Sequence, residues 1–187
     1  IWVNKGLEKD TGLFPHEILK KFISNTGLEH GVLSGPSFAA ELVRNLPTAV
    51  TVAASSKDLA LKVAEIFHHH SMRIYLSDDI AGVSISGALK NIIAIAAGIS
   101  DGMGFGNNAR AALITRGIAE MTRFGVSHGA KEDTFMGLAG IGDLMLTCTG
   151  QYSRNREVGL LLAEGKILSE ILLSLGHVAE GVNACYE

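Results

Sequence analysis

The stretch Met72-Arg-Ile-Tyr-Leu-Ser-Asp-Asp79, followed by Ile80-Ala-Gly-Val-Ser-Ile-Ser-Gly-Ala-Leu-Lys-Asn-Ile-Ile-Ala-Ile-Ala-Ala-Gly-Ile99, decides how this chain is organised. Its first part, MRIYL, is rich in β-forming residues. From Ile80 to Ile99 small and apolar residues run on at helical length, and strand signals vanish. Working back from the aspartates, short strands alternate with helices. Ile1-Trp2-Val3 reads as a strand, and Pro15 to Ile23 as a helix with apolar Ile18, Leu19, Phe22 and Ile23. Val32-Leu33 is a strand stopped by Gly35-Pro36, and Ser37 is placed to N-cap a helix from Phe38 to Arg44. TAVTVA (Thr48 to Ala53) is the clearest strand, and Ser56 caps a helix from Lys57 to about His69. Strands separated by helices imply a parallel, doubly wound sheet. Working forward, helices are expected at Asn108–Phe124, Glu132–Leu138, Gly142–Cys148, Asn155–Glu164 and Ser169–Leu175, joined mostly through glycines. The expected fold class is therefore α/β followed by all-α, with a domain boundary near Ser77: residues 1–77, then residues 78–187.

Composition narrows the functions. The 187 residues are 47% hydrophobic, ample for a packed core, and the net charge of −3 offers no broad attraction for nucleic acid or an anionic membrane. A small phosphorylated molecule, needing only a few local cations, fits that balance. Cys148 and Cys185 stand far apart with no CxxC, so free thiols in a reducing compartment are expected rather than a disulfide framework or a zinc site. The longest apolar run, Ile92 to Ile99, is interrupted by Gly98, so no membrane span is expected. The chain opens on a strand with no Met, which reads as a cytoplasmic protein whose true N-terminus lies upstream. Gly102-Met-Gly-Phe-Gly106 follows a helix, so it is not the strand-to-helix phosphate turn of a dinucleotide fold.

Three clusters are placed to carry chemistry. Lys90 has Ser86, Gly87, Ile93 and Ala94 three and four residues away, with no acid among them. Desolvation there lowers an amine towards values useful for a general base, unless its ammonium snorkels to water. Asp143, flanked by apolar residues, needs a cation or strong donor if buried. It serves either as a partner for Lys90 or a substrate hydroxyl, with Thr147 on the same helix face, or as an N-cap. Ser153-Arg154-Asn155-Arg156 puts two arginines at a helix start, which is unfavourable without an anion; the site suits a phosphate, or the arginines are simply solvated. Lys5-Gly6 and Gly35-Pro36-Ser37 sit at strand ends, where open α/β sheets bind ligands and where ordinary turns also occur. His68-His69-His70 reads as a solvated helix end, and His16, His30, His128 and His177 stand alone, so no metal site is expected.

In order along the chain stand Lys5-Gly-Leu-Glu8, Leu33-Ser-Gly-Pro-Ser-Phe-Ala39, Leu46-Pro-Thr-Ala-Val50, Gly87-Ala-Leu-Lys-Asn91 and Ala111-Ala-Leu-Ile-Thr-Arg-Gly117. Gly140-Ile-Gly-Asp-Leu144, Thr147-Cys-Thr149, Ser153-Arg-Asn-Arg156 and Val178-Ala-Glu-Gly181 follow. This series resembles the NAD(P)-dependent sn-glycerol-3-phosphate dehydrogenases of bacterial type. The resemblance implies that residues 1–77 are the C-terminal part of an NAD(P)-binding Rossmann domain and residues 78–187 a helical substrate-binding domain. It implies Lys90 as general base, with Lys5 and Asp143 beside it at the reacting carbon. It implies substrate contacts at Gly35, Ser37, Asn91, Thr147, Ser153, Arg154 and Asn155. Cofactor contacts, to NAD or NADP, are implied at Lys5, Ala39, Arg154, Val178 and Glu180. The family's Gly-rich half of the cofactor domain and its last helices lie outside the chain. A homodimer is the oligomer such enzymes suggest. Two rivals stand beside this reading: a hydroxy-acid dehydrogenase of the same architecture, which needs no phosphate grip, and a catalytically inert fragment.

Overall fold

The computed structural model describes residues 1–24, 26–176 and 178–187; the sequence reading of His177 lies outside them. The first part contains helix α1 (Pro15–Ile23), strand β1 (Gly31–Ser34), the single turn α2 (Ala39–Leu42), β2 (Thr48–Ala54), α3 (Lys57–Phe67) and β3 (Met72–Ser77). The second part is helical: α4 (Ile80–Gly102), α5 (Gly106–Ser127), α6 (Glu132–Phe135), a π-helical turn (Leu138–Gly142), α7 (Asp143–Thr149), α8 (Arg154–Ala163), α9 (Leu168–Leu175) and α10 (Glu180–Ala184).

The sheet order is β1-β2-β3. β2 and β3 are parallel, joined by α3 as a crossover, and the Ser56 hydroxyl caps that helix by accepting from the Leu59 amide at 3.1 Å. β1, however, pairs antiparallel with β2, Leu33 opposite Val52 and Ser34 opposite Thr51. The expected all-parallel sheet is thus a mixed one. The β1–β2 connection holds only the one-turn α2, so the chain turns back at the same end of the sheet instead of crossing its face. The first strand shrinks to a single parallel bridge between Trp2 and Val32. Ser37 does not cap α2; its hydroxyl donates to the Gly35 carbonyl at 3.0 Å, tightening the turn instead. Gly35 itself has φ +141°, which L side chains rarely adopt, and a β-carbon there would press on the Val50 backbone at 3.0 Å, so glycine suits the position on both counts.

α4 is the axis of the second part. It packs against α5, α7, α8 and α10 on its helical sides and against β1 below. Val83, Ile85, Ala88, Ala94 and Ala97 are fully buried along it. At 23 residues α4 is long and apolar enough to cross a bilayer, against the expectation that no run reaches that length. Its scattered serines and glycines do not interrupt the helix, and 67% of its most apolar window is buried inside the protein. The small residues serve packing: a β-carbon on Gly98 would collide with the Arg156 carbonyl, and one on Gly159 with the Ile95 carbonyl, so α4 and α8 meet backbone to backbone. Asp79 fixes the start of α4. Its carboxylate accepts from the Gly82 amide at 2.9 Å, the Lys131 amide at 2.9 Å and the Thr134 hydroxyl at 2.6 Å, tying α4 to α6.

Candidate active site

Lys90 lies about three turns into α4, a register set by the Asp79 cap, on the side facing α7. It is only 6% exposed. Its ammonium donates to Asp143 Oδ1 at 2.5 Å and to Thr147 Oγ1 at 2.9 Å. Thr147 Oγ1 in turn donates to the Asp143 carbonyl at 2.6 Å, so its lone pairs are aimed at the amine. Lys5, leaving the Trp2 bridge, donates to the other carboxylate oxygen, Oδ2, at 2.7 Å. Asp143 is 1% exposed and is shared by two cations. Of the two roles the sequence left open for Asp143, the structure shows the cation partner: the residue is the first of α7, and the N-cap position belongs to Gly142. The π-helical turn directly before it puts the carboxylate on the α4 side; such turns recur at functional sites.

Burial pushes the Lys90 ammonium down to about 8, against the opposing pull of the Asp143 carboxylate, and the nearby Lys5 charge adds to the lowering. A protonated Lys90 has three N–H bonds, and two are engaged. The third direction, or the lone pair once the proton has left, is available to a ligand.

That ligand has a place. A cavity of about 720 Å³ is lined by Lys5, Ser37, Ala39, Lys90, Asn91 and Thr147 on one side and by Ser153, Arg154, Asn155 and Glu180 on the other. The far wall is the start of α8. Ser153 caps that helix, accepting from the Arg156 amide at 3.2 Å, and Asn155 Oδ1 accepts from the Gly181 amide at 2.9 Å, while its side-chain amino group has no partner among the described residues. Asn91 Nδ2 donates to Glu180 at 3.1 Å, holding α10 against α4. The Arg154 side chain is exposed and makes no ion pair among the described residues, whereas Arg156 is turned away onto Asp101. Of the two arginines at this helix start, only Arg154 is presented to the cavity.

Three residues of the sequence-derived set do not line it. Asp143 stands behind the two lysines. Gly35 shapes the turn beside the cavity. Val178 is 64% exposed and lies outside the lining. The sequence reading omitted Phe38 and Tyr152, which line the cavity and meet edge to face at a ring separation of 5.7 Å. Both adjoin motif residues, Ser37 and Ser153, and that adjacency was the available signal.

Comparison with known proteins shows the family. The chain matches the family NAD-dependent glycerol-3-phosphate dehydrogenase C-terminus over residues 79–187 and the corresponding N-terminus family over residues 1–60. A glycerol-3-phosphate dehydrogenase of Methylobacillus flagellatus, named for NAD(P)+, is 63% identical over 187 residues, covering 100% of this chain and 56% of that protein. One from Ralstonia nicotianae, named likewise, is 55% identical over 185 residues, covering 97% and 55%. The crystal structure of glycerol-3-phosphate dehydrogenase from Coxiella burnetii superposes with a TM-score of 0.93 at 44% identity, over 98% of this chain and 55% of that one. A yeast glycerol-3-phosphate dehydrogenase structure gives 0.82 at 33% identity, over 98% and 55%. An α/β unit followed by a helical layer, with a buried amine–carboxylate pair at their junction, is the class of protein seen here. This chain belongs to the NAD-dependent glycerol-3-phosphate dehydrogenase family. It spans about half the length of the curated relatives it matches.

Proposed function

We propose that this chain carries the substrate-binding and catalytic part of an oxidoreductase that interconverts sn-glycerol 3-phosphate and dihydroxyacetone phosphate with NAD or NADP, feeding glycerophospholipid synthesis. One observation supports it above the others: a single cavity is lined both by a desolvated amine and by a capped helix N-terminus whose Arg154 guanidinium makes no ion pair among the described residues. The first end suits proton transfer to or from a carbinol oxygen, and the second suits a phosphate dianion. A hydroxy-acid dehydrogenase has no use for the second.

In the oxidising direction neutral Lys90 accepts the C2 hydroxyl proton through the lone pair facing the cavity, while Asp143 and Thr147 hold the nitrogen still. In the reducing direction the protonated form donates to the ketone oxygen. Such help is worth on the order of 10²–10⁴ in rate. Lys5, held by the far oxygen of Asp143, stabilises negative charge growing on the C2 oxygen. Ser37 and Asn91 flank the carbon chain, with Gly35 shaping the turn that carries Ser37, and Ser153, Arg154 and Asn155 with the amides of the first turn of α8 hold the phosphate. NAD or NADP, when bound, supplies or accepts the hydride at C2. The residues fit such a group: the cavity exceeds what a three-carbon phosphate fills, and Lys5, Ala39, Arg154 and Glu180 stand along it. We keep the division into residues 1–77 and 78–187, which places the catalytic lysine and the phosphate seat in one helical unit, and we place the protein in the cytoplasm, where its two free thiols stay reduced.

Turnover assays on Arg154→Ala test this reading. Loss of dihydroxyacetone phosphate reduction supports the phosphate seat; retained reduction of hydroxy acids alongside that loss favours the hydroxy-acid rival. Nicotinamide fluorescence that does not respond to this chain, while it responds to a longer polypeptide, identifies the piece as inert by itself.

A further inference from the structure

Two charges in this molecule stand at the helix ends that disfavour them. Arg156 is the third residue of α8, at the electropositive end, and Asp101 is next to last in α4, at the electronegative end. They meet. Arg156 Nε and Nη2 both donate to Asp101 Oδ2, at 2.9 and 2.6 Å. Arg110 of α5 donates to both carboxylate oxygens, at 2.9 and 2.8 Å. The Asp101 side chain is only 8% exposed, and although burial opposes it, the bonds from Arg156 and Arg110 hold its carboxyl below the usual range. One turn earlier on α4, Gly98 receives the Arg156 backbone carbonyl with no room for a side chain. Arg156 is therefore clamped at both its backbone and its guanidinium, one residue from Asn155 and two from Arg154.

We propose that Asp101 is a positioning residue for the phosphate end of the cavity. By drawing off Arg156 it fixes the first turn of α8 on α4, so that the Ser153, Arg154 and Asn155 groups reach one anion from a rigid base. It also neutralises the one guanidinium that would otherwise compete for the phosphate from the wrong side. Asp101 touches neither substrate nor reacting atoms, and none of Asp101, Arg110 and Arg156 lines the cavity. The inference rests on the proposed reading of the α8 start as the phosphate seat.

The test compares wild type with Asp101→Asn, Asp101→Glu and Arg156→Lys in the holoenzyme. It reads kcat, KM for dihydroxyacetone phosphate, competition by inorganic phosphate, and the pH midpoint of kcat. Asp101→Asn should raise KM and weaken phosphate competition together, by roughly tenfold, since displaced binding groups are costly even when remote from the chemistry. It should leave the pH midpoint unmoved and kcat nearly so. Asp101→Glu, which keeps the charge, should recover most of the loss. A KM within twofold of wild type, or kcat and the pH midpoint shifting along with KM, overturns the proposal. If Asp101→Asn does not fold, Arg156→Lys decides: it keeps the cation but loses the two-point contact, and an unchanged KM there overturns the proposal equally. Wild type that neither reduces dihydroxyacetone phosphate nor responds to inorganic phosphate refutes the functional reading itself, and the positioning role falls with it.

Discussion

The two ends of the cavity solve opposite electrostatic problems with cationic side chains. At the α4–α7 end Lys90 is buried, paired and drawn down to about 8. At the α8 end Arg154 is exposed and unpaired among the described residues. A group that must both take and give a proton near neutrality needs desolvation to bring the two forms close in energy. A group that must hold a dianion needs a charge that never leaves, and a guanidinium in contact with water keeps it. Lysine at the dry end and arginine at the wet end follow from that division, and exchanging their environments would spoil both.

The largest effect is expected at the dry end. Lys90→Ala should lower turnover by about 10²–10⁴-fold, the contribution of general acid–base catalysis, with circular dichroism unchanged; near-normal turnover would place the proton elsewhere. Next is Asp143→Asn, which leaves two ammonium groups facing each other in a buried site. It should cost about 3–5 kcal/mol in urea unfolding, the usual loss when one partner of a buried ion pair is removed. At the wet end Arg154→Ala should leave stability within about 0.5 kcal/mol, as for an ordinary surface substitution. It should weaken glycerol 3-phosphate binding by about 1.5–3 kcal/mol in calorimetry, the scale of a hydrogen bond to a charged group. If the two variants traded phenotypes, the comparison would be broken.

The smallest effect concerns pH. Lys90 loses its proton near 8 in the folded chain, while an unfolded lysine holds its own to about the ordinary 10.5. Between those values the unfolded state binds more protons, so this group's contribution to stability rises with pH and is flat below the window. Wild type should therefore gain on Lys90→Met as pH climbs from 8 to 9.5 in unfolding experiments. A difference that stays constant over that range would show an ordinary lysine.

Much of this was legible beforehand, for identifiable reasons. The β2–α3–β3 unit and the long α4 could be read because β-branched runs, a serine cap and a small-apolar stretch each speak locally. The direction of β1 was not, because pairing orientation depends on how a short connection runs, which no residue in Gly31–Ser34 encodes. The π turn before Asp143 falls in the connection that the sequence places between helices ending at Leu138 and starting at Gly142, since the glycines there signal a break and not a continued winding. Lys90 was marked by the lack of an acid on its own helix; its actual partner lies 53 residues on, on another helix. The two arginines of the α8 start look alike by spacing, and only the family resemblance singles out Arg154; what distinguishes them physically is Asp101, which only the packing of α4 on α8 brings near.

The most direct test is to follow the Lys90 side chain itself by NMR, with lysine labelled at the ε-carbon and Lys90→Met used to assign the signal. One lysine resonance should titrate near pH 8, well apart from the remainder, and vanish in the variant. A Lys90 resonance that moves with the solvated lysines near their ordinary value would contradict the account of a dry amine poised for proton transfer.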